Sequence, residues 1–308
     1  MERSSERAFK RAGHETLLFD DKRSKQLLGF RVTQAIARVA ARRFKPDFVF
    51  MGKCQALAVA TVEEIIAGRR NANWYHDPPS YRDINRPDIA HVAAVGRLAD
   101  TFFVSGFVAE WKALGLRAKF LPSAADIDLG PRRPDPRAAS DVVFIGTGYD
   151  ASRAEFLMKV AKRHDVKVWG PGWEKWRKEL KWSGGPVYGP EFAEVCSSAK
   201  ILLGINPQIA AGATNYTSDR IWMTLQAGGF YLGQATDGVT DLLRDGEHCA
   251  WYTDLESCLE RCAYYLGNPA TRERVRRQGQ KFVSEHHTFD QRISNLLSGE
   301  EFTNPLEP

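Results

Sequence analysis

A chain of 308 residues with 43% hydrophobic and 26% charged side chains is long enough for two α/β domains with separate cores. No stretch approaches the roughly 20 apolar residues that cross a bilayer, and Met1-Glu-Arg-Ser-Ser-Glu-Arg lacks the apolar run of a secretory signal. The net charge of +5 is uneven: residues 1–136 carry +7 and the remainder −2, which reads either as a solvated helix face or as a front half that meets an anionic partner. Five cysteines, an odd number without framework spacing, fit a reducing cytoplasm; Cys258 and Cys262 stand one helical turn apart, as packing residues often do.

In chain order, a helix-like Ser5–Ala12 precedes a predicted strand at His14–Asp20. Basic runs follow, Lys22-Arg23-x-Lys25 and then Arg31, Arg38, Arg42, Arg43 and Lys45. Further strands are expected at Asp47–Met51, Asn73–Asp77, Thr101–Ser105 and Lys119–Pro122. Helices are expected near Val32–Phe44, Ala60–Arg69, Ile89–Ala99 and Phe107–Leu114. Each strand is short, apolar and β-branched or aromatic, as in a parallel sheet buried on both faces. The run Asp126–Arg137 holds three prolines and many charges and reads as the linker. After it, strands are expected at Asp141–Ile145, Val166–Trp169, Ile201–Ile205, Phe230–Leu232 and Cys249–Tyr252. Helices follow at Ser152–Arg163, Pro190–Ala199, Ser218–Ala227 and Leu255–Leu266, and a final helical pair spans Ala270–Leu297. The reading is therefore α/β: two Rossmann-like domains, residues 1–136 and 137–308, facing across a cleft. A nucleotide fold opens on a central strand and this chain opens on a helix, so either the first strand of the front domain is missing or the front sheet is built differently.

Three segments carry chemistry. Val142-Val-Phe-Ile-Gly146-Thr-Gly148 runs a strand into a Gly-x-Gly turn and a helix, where backbone can approach a phosphate; glycine used for turn geometry alone is the equal alternative. In Trp169-Gly-Pro-Gly-Trp173, a turn with two indoles offers either a covered turn or a wall for a ring. Ile201-Leu-Leu-Gly-Ile-Asn206-Pro leads to Asn215-Tyr-Thr-Ser218-Asp-Arg220 and on to Ala227-Gly-Gly-Phe230. Here Ser218 can cap a helix whose first turn carries Arg220. A cation there opposes the helix dipole unless an anion occupies the helix end, and a guanidinium matches a diphosphate bidentately. The alternative is an ion pair with Asp219 or another carboxylate.

These segments resemble the CgeB-like (spore maturation protein) branch of the group 1 glycosyltransferases. The resemblance rests on Phe144-Ile-Gly-Thr-Gly148 with Arg153, Trp169–Trp173, Ser218-x-Arg220 with Ala227–Phe230, Leu242-Leu-Arg-Asp-Gly-Glu247, Tyr265-Leu-Gly-Asn-Pro269 with Arg272, and Glu285-His-His-Thr288 with Arg292. It covers roughly residues 140–297 and extends more loosely to Gly13-His-Glu15, Lys45-Pro-Asp47 and Tyr75-His-Asp-Pro78. It implies the GT-B fold, with a nucleotide sugar, a UDP-sugar by preference, in the rear domain and the acceptor in the front. Ser218 and Arg220 would contact the diphosphate, Asn206, Asn215 and Glu247 would line the sugar or ribose pocket, and Gly146 and Gly148 would face the cleft. Where many relatives carry a ribose-binding glutamate, this chain has Met223.

For transfer, a base must deprotonate the acceptor hydroxyl. Asp77, at the end of a strand and ahead of Pro78-Pro79, is the candidate, and His76 is the second; a turn-capping role for Asp77 is the alternative. There is no Asp-x-Asp segment of the sort that metal-dependent sugar transferases of the other fold use, so no metal is expected, and His286-His287 reads as packing. The only co-substrate implied is the nucleotide sugar. An anionic acceptor has two concrete versions, a 5-hydroxymethylpyrimidine in viral DNA and a cell-surface polymer. The competing expectation is a non-catalytic nucleotide-sugar- or nucleic-acid-binding protein of the same fold.

Overall fold

The computed structural model describes residues 2–79, 89–206, 214–216 and 218–307. It divides into two units, residues 1–122 with 289–303, and residues 123–288 with 304–308.

The front unit contains α1 (Glu2–Arg11), α2 (Asp21–Leu28), α3 (Phe30–Phe44), β1 (Phe48–Met51), α4 (Val59–Ile66), β2 (Arg70–Tyr75), α5 (Ile89–Leu98), β3 (Thr101–Val104), α6 (Val108–Ala113) and β4 (Ala118–Phe120), together with the last helix of the chain. Its strands form a parallel sheet in the order β1-β2-β3-β4. Each step goes the same way, so right-handed crossovers set α4, α5 and α6 on one face. There Met51 and Val49 pack with Val62 and Ile66 of α4, Val95 of α5 and Ala37 of α3. On the other face Phe9 of α1 meets Phe48 and Phe50 with ring centroids 6.2 and 6.0 Å apart, and Trp74 meets Phe289 of the last helix at 6.0 Å. That helix is anchored by Arg292, which is 1% exposed, donates to the Pro122 carbonyl at 3.0 Å and lies over the Phe302 ring. Burial lowers its guanidinium to about 9.

The rear unit contains β5 (Ser140–Ile145), α7 (Ala151–Ala161), β6 (Val166–Trp169), β7 (Lys181–Gly184), α8 (Gly189–Ser198), β8 (Ala199–Gly204), α9 (Asp219–Gln226), β9 (Tyr231–Gln234), β10 (Ala250–Tyr252), α10 (Leu255–Gly267) and α11 (Pro269–His286); the last helix, Phe289–Ser298, is α12. The parallel sheet has the order β10-β9-β8-β5-β6-β7. From β5 the chain moves outward through β6 and β7, then returns to the other side of β5 at β8. The order therefore reverses between β5 and β8, and the carboxyl ends of two strands at such a reversal are where sheets of this kind take their ligands. Cys258 and Cys262 are fully buried in the core with Phe144, Leu203 and Phe230.

The sequence reading is corrected at three places. His14–Asp20 is not a strand, because among the described residues it pairs with none. The proline-rich run 126–137 belongs to the rear unit rather than bridging the two units: the amides of Arg132 and Asp135 donate to Ser197 and Ser198 at 3.0 and 2.7 Å, and Leu129 and Ala138 enter a core cluster with Phe192 and Cys196. The unit boundary lies at Pro122/Ser123, and α12 returns to the front unit. The helix α2 and the strand β7 were not foreseen. The first buries no side chain and the second, Lys-Trp-Ser-Gly, is an edge strand, so neither carries the apolar period of a core element.

Candidate functional site

At the carboxyl ends of β5 and β8, two arginines gather over the ring of Phe144. Arg220 stands in the first turn of α9, after the N-cap Ser218, whose hydroxyl accepts from the Arg220 amide at 3.4 Å. The guanidinium carbon of Arg220 lies 4.7 Å from the centre of the Phe144 ring, and that of Arg153, from α7, lies 5.8 Å from it. Arg153 also reaches Thr147 Oγ1 at 3.5 Å. Among the described residues the Arg220 guanidinium has neither a carboxylate partner nor a hydrogen bond. Asp219 is engaged elsewhere, accepting a short hydrogen bond from Ser123. Burial lowers the pKa of Arg220, yet a guanidinium stays charged at any working pH. An uncompensated cation at a helix start is an anion site in waiting.

The glycines work differently from the expectation. The Gly146 amide donates to the Trp169 carbonyl and the Gly148 amide to the Pro171 carbonyl, each at 2.9 Å, so neither is left for a phosphate. Trp173 Nε1 donates to the Gly146 carbonyl at 2.8 Å, and a Cβ on Gly170 would sit 2.3 Å from that same oxygen. The two strand-to-helix turns are thus interlocked, and Trp173, 0% exposed, is a core wedge rather than a wall for a sugar ring. Gly146 still matters to the site: a Cβ there would lie 2.6 Å from Arg220 Nη2 and 2.9 Å from Phe144 Cε1. Gly146→Ala is therefore expected to displace Arg220 and weaken binding of inorganic pyrophosphate there by about tenfold, while far-UV dichroism is unchanged; calorimetric titration reads it.

At the end of β8, the side chain of Asn206 donates to Thr236 Oγ1 at 2.8 Å, and its amide faces Gln234 Oε1 at 3.3 Å. Asn215, with φ 57°, donates its amide to the Asp237 carbonyl at 2.8 Å. Its side-chain oxygen fills the space where Gly238 lacks a Cβ, 1.7 Å from the position such an atom would take. Both asparagines are thereby tied to the loop after β9, and Gln234 and Thr236 join them; the sequence reading missed those two because neither falls in a recognisable motif. Pro207 and Thr217 of the same motif lie outside the described residues. Met223 packs against the cluster of Val143 and Ile145.

Glu247 does not join the pocket. It precedes β10 and so lies at the amino end of the parallel sheet, opposite the edge that carries Gly146 and Asn206. There it pairs with Arg244 at 3.6 Å and with His248 Nε2 at 3.3 Å. His248 is buried, stacked on Phe282 at 4.1 Å, and its Nδ1 accepts from the Arg244 amide at 3.2 Å, which fixes the neutral tautomer with the proton on Nε2. Burial holds its pKa below 6.5. As pH falls through about 6.5 the unfolded chain takes the proton first. Stability is then expected to be full above that pH and to decline below it, and His248→Gln should flatten the decline in thermal melts run at stepped pH. The other histidine pair serves packing: His287 is fully buried and stacked on Trp222 at 4.2 Å.

In the front unit, three strand ends bring polar groups together. Lys53 follows β1, His76 and Asp77 follow β2, and Ser105 follows β3. Lys53 Nζ is 2.6 Å from Asp77 Oδ2, and Ser105 Oγ is 2.7 Å from His76 Nδ1. Asp77 is thus oriented by an ammonium. Lys53 and Ser105 escaped the sequence reading because their proximity depends on sheet order. Of the basic run, Arg38 pairs with Glu64 at 2.7 Å, while Arg31, Arg42 and Arg43 are exposed.

Residues 153–298 match a family model described as glycosyl transferase-like. No curated protein matches the chain. Among solved structures the fold is similar to that of HepE from Anabaena in complex with UDP-glucose, with a TM-score of 0.67 at 12% identity over 96% of this chain and 89% of that one. It is similar too to sucrose-phosphate synthase from Thermosynechococcus elongatus, with a TM-score of 0.65 at 12% identity over 90% and 79% of the two chains. A glycosyltransferase from Rickettsia africae gives a TM-score of 0.60 at 7% identity over 96% and 93%. Residues 153–298, a little under half of the chain, are thus glycosyl transferase-like in sequence, and the two parallel α/β sheets of four and six strands share the GT-B fold of these solved structures.

Proposed function

We propose that this chain moves a sugar from a UDP-sugar to a hydroxyl of an anionic acceptor. The observation that carries the reading is Arg220, a guanidinium at a helix start, over an aromatic ring and without a carboxylate partner among the described residues. The likeness to HepE, which holds UDP-glucose, supports a donor of this kind. In the proposed step the acceptor oxygen attacks the anomeric carbon, the bond from that carbon to the diphosphate oxygen breaks, and the acceptor proton passes to Asp77, with His76 as the second candidate. The charge that develops on the leaving diphosphate meets Arg220, with Arg153 and the cap at Ser218 beside it. Asn206 and Asn215, with Gln234 and Thr236, supply polar contacts to sugar or ribose in place of the glutamate that Met223 replaces.

In this reading the diphosphate is neutralised by guanidinium, so a chelator leaves the rate unchanged. Membership of the CgeB-like branch and a cytoplasmic setting for the five free cysteines belong to the same proposal. The +7 charge of residues 1–136 favours a polyanionic acceptor, with a 5-hydroxymethylpyrimidine in DNA and an anionic cell-surface polymer as its two versions. Incubation with UDP- and GDP-sugars, followed by mass spectrometry of released nucleotide, tests the donor: hydrolysis of a UDP-sugar is expected. Binding of hydroxymethylated duplex DNA should weaken steeply between low and physiological salt, and a flat salt profile removes the DNA version. The competing non-catalytic reading gains from Met223 and from the committed glycine amides; intact UDP binding without turnover on any donor decides for it.

A further inference from the structure

Tyr231, the first residue of β9, lies in a slot written into two neighbouring strands. Gly204 of β8 and Gly233 of β9 are partners in the register, and a Cβ on either would strike its ring. At Gly204 such an atom would sit 1.9 Å from the Tyr231 hydroxyl oxygen, and at Gly233 it would sit 2.3 Å from Cε1. Trp251 of β10 stands on the other side, edge-on, with ring centroids 6.2 Å apart. Tyr231 itself is paired with Leu202, two residues before Gly204. Its ring therefore runs toward the carboxyl edge of the sheet, and its hydroxyl arrives at the last residue of β8.

Two buried phenols reach this point, and they differ. Tyr252 donates to the Gly204 carbonyl at 2.8 Å. Tyr231 is only 4% exposed, yet among the described residues its hydroxyl makes no hydrogen bond. A phenol taken out of water ordinarily has a partner. Its neighbours here are cations. Arg220 reaches over Gly146, which follows β5, the strand paired with β8. Tyr231 couples to that guanidinium more strongly than Tyr216, Tyr252 or Asp219 does, and it feels Arg153 as well. Burial pushes the Tyr231 hydroxyl up to about 12 against the pull of the two guanidiniums, so it keeps its proton and can donate. A protonated phenol and two guanidiniums that present donors to one place suit an anion with several oxygens.

We propose that the Tyr231 hydroxyl is a further contact to the donor, hydrogen-bonded to a non-bridging diphosphate oxygen that Arg220 also holds. The inference rests on the UDP-sugar reading of this site. It adds a neutral donor carried by a strand, set by the two glycines that admit its ring, to the cations carried by helices. Charge that develops on the leaving diphosphate strengthens this hydrogen bond together with the contact to Arg220.

Tyr231→Phe keeps the ring in its slot and removes only the hydroxyl. Melted without added ligand, the variant is expected to match or exceed the wild-type midpoint, since no hydrogen bond within the chain is lost. Its affinity for inorganic pyrophosphate, read by calorimetric titration, is expected to fall by about tenfold or more, with UDP affinity falling in parallel. Unchanged affinity overturns the proposal. So does a lowered midpoint, at whatever affinity, because it assigns the hydroxyl to the fold. Arg220→Ala, titrated alongside, separates this contact from the reading beneath it. Pyrophosphate affinity lost in Arg220→Ala but intact in Tyr231→Phe overturns the contact alone. Failure of the wild type to bind either pyrophosphate or UDP overturns the donor reading and the contact with it.

Discussion

Replacing Arg220 with alanine is expected to lower kcat/KM for sugar transfer by about a hundred- to a thousandfold, the scale of losing one preorganised donor to a developing oxyanion. The side chain lies over Phe144, against Gly146, and makes no competing ion pair among the described residues. Its removal therefore leaves no orphaned carboxylate, and folding should be largely spared. Arg220→Lys keeps the charge but loses the planar fork, so it should recover only part of the rate. The loss should appear in UDP affinity as well as in kcat, because in the proposed reaction the product diphosphate would use the same contact. A variant with undiminished UDP affinity and rate would show that the diphosphate binds elsewhere.

Asp77→Asn is expected to lower kcat by about a hundred- to ten-thousandfold while UDP affinity is preserved. The amide keeps the shape but cannot accept the acceptor's proton, and the ion pair with Lys53 is lost with it. Two further variants separate the base from its holder. Lys53→Met should reduce the rate less, by loosening the carboxylate, and His76→Asn should have the smaller effect if His76 only supports Ser105 at 2.7 Å. If His76→Asn proves the more damaging, the two roles exchange; if neither matters, the base lies outside this edge. Because UDP binding reads the rear unit and the rate reads both, the two measurements tell a damaged acceptor side from a damaged donor side.

The rear unit was largely legible in the sequence. Its strands alternate with helices whose caps are written in side chains: Ser218 ahead of α9, and Asp254 with the capping box it forms with Ser257 ahead of α10. Arg220 was legible for the same reason, since a cation directly after a cap is a local anomaly. Glu247 was misplaced because a motif gives its order along the chain but not the sheet edge that its loop faces. The role of Gly146 and Gly148 was misjudged because the carbonyls of Trp169 and Pro171, their acceptors, come from the next turn. His14–Asp20 has the composition of a strand, but a strand exists only with a neighbour, and its extended backbone pairs with none among the described residues.

The return of α12 to the front unit has a practical side. The polypeptide passes between the two units after Pro122, after Thr288 and again after Thr303, so neither is a single stretch of gene. A recombinant fragment stopped at residue 122 would forfeit Arg292 and the ring of Phe289, leaving Trp74 without its cover. Splitting this molecule for expression therefore calls for a permuted or spliced design, with Phe289–Thr303 stitched onto the first segment.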